Sequence, residues 1–240
     1  MKNKYSVSMV LPMFNERESI ESTIRNAVGF LSDFNSDSEI IVVDDGSTDG
    51  SLGIVKELSK KISFLEYVCF NKNRGLGRAL RAGFNQAEND FILYTDSDWP
   101  VDSGVLRKAF DLLVREKADL VVGCRNGKRE LLYRRACSFF YNLFVKAIFG
   151  LKFKDVNCPL KLVHKKIIND IILKSDGPFI DVELLVRIKN KGYKIIELSY
   201  PNIPRKLGKS KFNSFGAIMK AMKSTFIEIV KFTPELLSRG

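Results

Sequence analysis

The strongest constraint on this chain is an alternation that runs through its first half. Val7–Leu11 is apolar and strand-like, and Glu16–Leu31 follows with Ile20, Ile24, Ala27 and Leu31 at helical spacing. Ile40–Val43 is a near-continuous apolar run, the pattern of a strand buried on both faces. Asp49–Lys61 is helical, Leu65–Phe70 is a strand, Gly75–Ala87 is a helix and Phe91–Thr95 is a fourth strand. Val105–Arg115 and Asp119–Gly123 add another helix and a fifth strand. Strand–helix alternation at this pace predicts an α/β fold: a mostly parallel, Rossmann-like sheet with helices on both faces. Ligands of such sheets bind beyond the carboxyl ends of the strands.

The second half is less regular. Arg134–Phe149 reads as a helix that is apolar almost all round, with Phe139, Phe140, Leu143, Phe144, Ile148 and Phe149. Strands are expected at Leu160–Val163 and Lys194–Leu198, and helices at Ile167–Leu173 and Asp181–Lys191. Ser214–Phe232 reads as a final amphipathic helix, with Ile218, Met222, Phe226 and Ile229 on one face and Lys220, Lys223 and Lys231 on the other. With no repeat or linker, the expected organisation is a catalytic domain over 1–212 and a helical appendage over 213–240.

Three strand ends carry polar clusters: Pro12–Glu16, Asp44–Asp49 and Asp96–Asp98. Each alone has a structural explanation, since Asn15 or Ser19 can cap a helix and Asp44–Asp49 can be a turn with an N-cap. Three on one sheet edge point to a shared site. Neither a G-x-G-x-x-G after the first strand nor a G-x-x-x-x-G-K-[ST] is present, so this sheet handles phosphate in another way. Two carboxylates one residue apart, Asp96 and Asp98, can hold a divalent ion that carries a diphosphate's charge, and hard oxygen donors suit Mg²⁺ or Mn²⁺.

The stretches VSMVLPMFNERESI, IIVVDDGSTDGS, NKNRGLGRALRAGF and DFILYTDSDWPVD, in that order, resemble family 2 glycosyltransferases of the GT-A fold. The resemblance implies a nucleotide-diphosphate sugar donor. By it Pro12, Asn15 and Glu16 line the nucleotide pocket, and Asp44 holds the base with Asp45 and Ser47 close by. Asp96 lies near the sugar and ribose, Ser97 counts among the nucleotide-sugar-binding residues, and Asp98 ligates the metal. The later run VVGCRNGKRELLYRRACSFFYNLFVKAIFGLKFKDVNCPLKLV resembles the acceptor region of dolichol-phosphate mannosyltransferases and related polyprenyl-phosphate hexosyltransferases. That match makes Arg125, Arg134 and Ser138 ligands of an acceptor phosphate, a role for which guanidinium groups are suited. Pro204–Lys211 resembles the family's late basic loop, with Arg205 and Lys211 closing over the diphosphate. Two departures stand out: Trp99-Pro100 follows the carboxylates where the family usually has a Gln, and Asp155-Val156-Asn157-Cys158-Pro159 replaces a usual Asp-x-x-Ser-Gly.

The implied reaction is an inverting displacement of a hexose onto dolichyl or undecaprenyl phosphate. The alternative is a soluble enzyme of the same family acting on a saccharide or other hydroxyl acceptor. A hydroxyl acceptor needs a general base. Phe179–Leu184 resembles the segment that carries it, which makes Asp181 the candidate. Asp181 can equally be the N-cap of its helix, and both readings stand here.

A net charge of +11 asks for an anionic partner, whether nucleic acid, an acidic membrane or a phosphorylated substrate. No nucleic-acid motif accompanies it. The amphipathic last helix fits an interfacial helix on anionic lipid, and also a helix packed on its own domain. Beside the Phe-rich segment it favours peripheral attachment to the cytoplasmic membrane face, with a membrane partner subunit an open option. No apolar stretch approaches the roughly 18–20 residues a bilayer span requires, and no signal peptide is visible. The four cysteines are unpaired in spacing and are expected as buried free thiols, while the single His164 leaves little room for histidine chemistry.

Overall fold

The computed structural model describes residues 5–34, 37–98, 101–127, 132–202 and 215–237, without side-chain detail for 132–136, 215 and 217–222. Strand and helix alternate as the sequence predicts: β1 (Val7–Met13), α1 (Ile20–Leu31), β2 (Glu39–Asp44), α2 (Ser51–Ser59), β3 (Leu65–Cys69), α3 (Leu76–Gln86), β4 (Phe91–Tyr94), α4 (Ser103–Arg115) and β5 (Leu120–Asn126). There follow α5 (Leu132–Phe149), β6 (Lys161–His164), α6 (Lys165–Asp170), α7 (Ile180–Asn190), β7 (Ile195–Pro201) and α8 (Phe215–Leu237).

One seven-stranded sheet runs in the order β3-β2-β1-β4-β6-β5-β7. All neighbours are parallel except β6, which is antiparallel to both β4 and β5. The crossover through α4 therefore leaves a gap beside β4, and β6 fills it from the opposite direction. This has a consequence for the site. An antiparallel strand begins where its parallel neighbours end, so the first residue of β6, Lys161, lies opposite Tyr94, the last residue of β4.

Alternate strand residues point to opposite faces, and the core divides accordingly. Val10, Ile41, Val43, Ile92 and Val122 meet α3, α7 and α8 on one face. Met9, Leu11, Ile40, Val42 and Leu93 meet α1 and α4 on the other. Gly83 of α3 lies so close to β1 that a Cβ there would come within 2.4 Å of the Val10 side chain.

The final helix packs on the domain. Thr225, Ile229, Phe232 and Leu236 are buried, and the Phe232 ring stacks on Phe179 at 6.3 Å. Glu228 accepts the backbone N–H groups of Asp176 and Gly177, and Glu235 pairs with Lys174 and Arg187. The buried stripe differs from the expected one. Phe226, grouped with Ile229 from the sequence, is 54% exposed, because the inward positions step by 4, 3 and 4 residues from Thr225. Ile227 and Val230 are exposed beside it. The cysteines are free, with Cys124 and Cys158 buried; Cys69 is exposed, since it ends the edge strand β3.

Candidate functional site

The carboxyl ends of β1, β2 and β4 bring three of the predicted clusters to one edge, as the parallel order of these strands requires. The first two loops are laced together. Asn15 takes a left-handed conformation (φ 52°), which asparagine tolerates better than most residues. Its N–H donates to Ser47 Oγ at 2.8 Å, and its Oδ1 accepts from Thr48 N–H at 2.8 Å. Glu16 N–H donates to Ser51 Oγ, and Arg17 N–H to Asp49 Oδ2. Asp44 is buried and accepts Ser47 N–H at 3.1 Å. Gly46 (φ 76°) has to be glycine, because a Cβ would stand 2.5 Å from the Lys72 backbone.

Asp45 has a different task. Its two oxygens accept the backbone N–H groups of Arg74 (2.6 Å) and Gly75 (2.9 Å), holding the start of α3 against the second loop. Pro12, within β1, and Ser97 complete the edge; Thr23 Oγ1 donates to the Ser97 carbonyl and fixes the third loop on α1.

Asp96 and Asp98 share that third loop. Burial, then the charge of Asp98, pushes the Asp96 carboxyl up to about 7. Two carboxylates confined in this way repel each other, and a divalent cation between them reverses the penalty. No group of three or more His, Cys, Asp or Glu side chains collects around a common point among the described residues. Two carboxylates completed by substrate oxygens and water are nonetheless the usual arrangement for Mg²⁺ with a diphosphate. The donor chemistry thus fits a divalent ion.

Behind these carboxylates lies a layer of buried charge that the sequence pattern did not expose. Lys161 is 1% accessible. Its ammonium donates to Asp181 Oδ1 and to the Cys158 carbonyl, both at 2.6 Å, and lies 5.3 Å from the Tyr94 ring centre. Asp181 is therefore neither exposed nor an N-cap; Phe179 occupies the N-cap position of α7. Burial raises the Asp181 carboxyl above its ordinary value and Lys161 works against that rise. The one available signal was a lysine inside the apolar run Pro159–Val163, since lysine is almost never fully buried unless paired.

Arg125, at the end of β5, is also engaged. Its guanidinium forks onto Asp155 (Nε–Oδ2 2.8 Å, NH2–Oδ1 3.1 Å) and reaches the Asn157 carbonyl at 3.3 Å. Burial opposes its charge, but Asp155 more than offsets this and holds the proton more tightly than usual. Asp155 is the residue of the Asp155–Pro159 segment that keeps the family pattern, so this pair does not arise from the departures at Cys158 and Pro159. Ser138 is half-buried on α5, and its carbonyl accepts Asn142 Nδ2 at 2.7 Å. The Arg134 side chain, Arg205 and Lys211 lie outside the described residues.

Comparison with known proteins agrees with this architecture. The fold matches a mannosyltransferase from Pyrobaculum calidifontis, solved with GDP-Man and Mn²⁺, with a TM-score of 0.68 at 18% identity over 97% of this chain and 68% of that one. It matches the glucosyl-3-phosphoglycerate synthase of Mycobacterium tuberculosis, solved with Mn²⁺, UDP-Glc and phosphoglyceric acid, with a TM-score of 0.69 at 16% identity over 93% and 79%. In sequence, the chain is 28% identical over 211 residues to an undecaprenyl-phosphate 4-deoxy-4-formamido-L-arabinose transferase of Salmonella paratyphi A, covering 86% of this chain and 62% of the relative. It is 30% identical over 172 residues to the dodecaprenyl-phosphate galacturonate synthase of Rhizobium johnstonii, covering 71% and 51%. The chain thus spans about half to three-fifths of the length of these curated relatives. Residues 8–171, from the first strand through the last turn of the Lys161 region, match the profile of glycosyl transferase family 2, and with a GT-A fold and its three strand-end loops in place, this chain belongs to that family.

Proposed function

We propose that this protein is an inverting glycosyltransferase that moves a hexose from a nucleotide-diphosphate sugar to a polyprenyl phosphate at the cytoplasmic membrane face. The observation that carries the choice of a lipid acceptor is the apolar surface of α5 and α8. Phe139 and Phe140 are 63% and 64% exposed, with Leu143 beside them. The Phe144 and Phe226 rings lie 6.0 Å apart and join this face to Ile227 and Val230 of α8. Contiguous exposed aromatic surface is unusual on a monomeric soluble protein and marks an interaction site. With a net charge of +11, anionic lipid is the surface it suits. Among the described residues no helix is long and apolar enough to cross a membrane. Both similar sequences described above carry names that place their action on polyprenyl phosphates, which supports the same acceptor class.

Asp44, Asn15 and the backbone they organise would hold the nucleotide. Asp96 and Asp98 would hold Mg²⁺ or Mn²⁺, which supplies charge neutralisation at the diphosphate as the leaving group departs. A phosphate acceptor is already ionised, so no side chain has to remove its proton, and positioning with electrostatics suffices. That agrees with the place of Asp181, buried in an ion pair with Lys161. In this reading Asp181 orients the site rather than serving as a base. A hydroxyl acceptor would demand a base, so the alternative acceptor class predicts loss of turnover on Asp181→Asn.

The test is a transfer assay with Mn²⁺, a panel of nucleotide sugars, and undecaprenyl or dolichyl phosphate in vesicles. Formation of a glycolipid with one donor is expected. Donor hydrolysis without glycolipid for any donor would sink the lipid-acceptor reading.

A further inference from the structure

Two cations lie behind the Asp96–Asp98 loop, and each grips the same piece of chain from its own side. Arg125 forks onto Asp155 and takes the Asn157 carbonyl at 3.3 Å. Lys161 takes the carbonyl of the next residue, Cys158, at 2.6 Å, and is itself held by Asp181 at 2.6 Å. The segment is also closed from within: Cys158 N–H donates to the Asp155 carbonyl at 3.2 Å, and the Cys158 thiol lies 3.2 Å from the Tyr200 hydroxyl. Stability alone does not require the Lys161–Asp181 pair. Desolvating an ammonium and a carboxylate costs about as much as their attraction returns, so an apolar pair of similar volume would serve the fold as well. What the ammonium adds is a donor for the Cys158 carbonyl, which an apolar side chain could not hold.

The place of Lys161 in the sheet gives that grip a consequence. Lys161 stands opposite Tyr94, the last residue of β4, with its ammonium over the Tyr94 ring, and Asp96 is two residues beyond Tyr94. Burial and the charge of Asp98 raise the Asp96 carboxyl, while Arg125 and Lys161 oppose the rise, so both cations are felt at the loop.

We infer that Lys161 is a positioning residue of the transfer site: held by Asp181, it clamps the Asn157–Cys158 backbone against Arg125 and so keeps that guanidinium, with Asp155, fixed behind the Asp96–Asp98 loop. The inference rests on the reading of Asp96 and Asp98 as the cation-binding pair. At 1% accessibility Lys161 is too deep to touch a substrate, and its effect runs through the segment it holds. A displacement of about 1 Å passed to the reacting groups can cost about a hundredfold in rate.

The experiment exchanges the pair for apolar groups in the full chain, as Lys161→Met with Asp181→Leu, so that no buried charge is stranded. A second double variant, Lys161→Gln with Asp181→Asn, removes the charges but keeps an N–H donor for the Cys158 carbonyl. Lys191→Met, at an exposed ion pair with Asp170, is the control. Thiol labelling, read peptide by peptide, compares Cys158 with Cys124, which is buried in the neighbouring β5. Donor kinetics with Mn²⁺ are measured beside it, using the donor that the transfer assay selects. In the Met–Leu variant the thermal midpoint is expected to stay within about 4 °C of the parent. Cys158 is expected to label about tenfold faster with Cys124 unchanged, and kcat to fall about a hundredfold with donor KM within about threefold. The Gln–Asn variant is expected to regain the protection of Cys158 and at least about tenfold of the lost kcat. Lys191→Met should match the parent throughout. Parental labelling of Cys158 or parental kcat in the Met–Leu variant would overturn the inference. So would equal acceleration at Cys158 and Cys124, or a Gln–Asn variant no better than Met–Leu. If Asp98→Ala leaves Mn²⁺-dependent turnover intact, or the parent turns over no donor, the underlying reading of the site fails instead, and the labelling still decides whether Lys161 clamps the segment.

Discussion

The two sides of this molecule hold their functional groups by opposite means. On what we propose as the donor side, at the ends of β1, β2 and β4, the first two loops are tied to each other and to the start of α3. Asn15 bonds Ser47 and Thr48, Asp49 bonds Arg17, and Asp45 bonds Arg74 and Gly75. On what we propose as the acceptor side, around α5 and α8, large apolar side chains such as Phe139, Phe140 and Phe226 face outward. The tied loops are ordered in advance, and such ordering lowers the entropy lost on binding a ligand. The α5 and α8 face instead leaves large apolar side chains uncovered, as a face that meets an apolar partner would. Substitutions should therefore separate cleanly, with donor-side changes felt in turnover and stability and acceptor-side changes felt in association.

The largest effect is expected at the carboxylate pair. Asp98→Ala should lower donor turnover with Mn²⁺ by about a thousandfold, since on the proposed assignment it would remove one of the two carboxylates that hold the cation. Turnover kinetics with Mn²⁺ titration checks this, and unchanged turnover would remove the metal assignment.

Next comes the buried layer. Lys161→Met leaves Asp181 as an uncompensated buried carboxylate and should cost about 3–5 kcal/mol in denaturant unfolding. In an Asp181→Asn background the same substitution should cost much less, because the charge it abandons is gone. A loss that is equal in both backgrounds would show that Lys161 does not act through Asp181.

Asp45→Ala removes two hydrogen bonds that join α3 to the second loop and should destabilise the fold by about 1–3 kcal/mol. Its donor KM should rise while vesicle binding stays the same. A change in vesicle binding alone would blur the division between the two sides.

A smaller effect follows from Asp96. Its carboxyl is raised from 3.8 to about 7 in the fold. Between those values the folded chain keeps a proton that the unfolded chain has released, so stability without metal falls as the pH rises through the window and is lowest above it. A cation favours the ionised form. The thermal shift produced by Mn²⁺ with nucleotide should therefore be larger at about pH 8 than at about pH 5. Equal shifts at the two pH values would contradict the pairing of Asp96 with the metal.

The smallest effect on the fold is expected where the effect on association is clearest. Phe140→Ser with Phe226→Ser should change unfolding free energy by only about 0.5 kcal/mol per site, since both rings are largely exposed. Co-sedimentation with anionic vesicles should nonetheless be lost. Retained sedimentation would mean that this face is not the one that meets lipid.

Much of the donor side was legible in the residues alone. Its strands are short, strongly apolar and parallel, so their carboxyl ends share an edge, and the polar clusters at Pro12–Glu16, Asp44–Asp49 and Asp96–Asp98 had to meet there. The turn reading of Asp44–Asp49 is only partly met: Asp49 accepts the Ser51 N–H at the start of α2, but the N-cap position is Gly50, with no side-chain cap. The acceptor side was read less well. Its greasy helices were evident from composition, but the stripe that α8 buries was misplaced at Phe226, because an apolar helix with residues on several sides does not declare which of them faces the core.

Strand and helix order and the parallel edge follow from local periodicity, which neighbouring residues set for themselves, and they bring Asp96 and Asp98 to that edge. Lys161 against Asp181 and Asp155 on Arg125 do not follow in that way. They depend on β6 entering the sheet antiparallel between β4 and β5, and on which of several cations then meets which carboxylate. Ion pairs in a desolvated layer are chosen by distance and burial across separate elements, and those are properties of the assembled sheet.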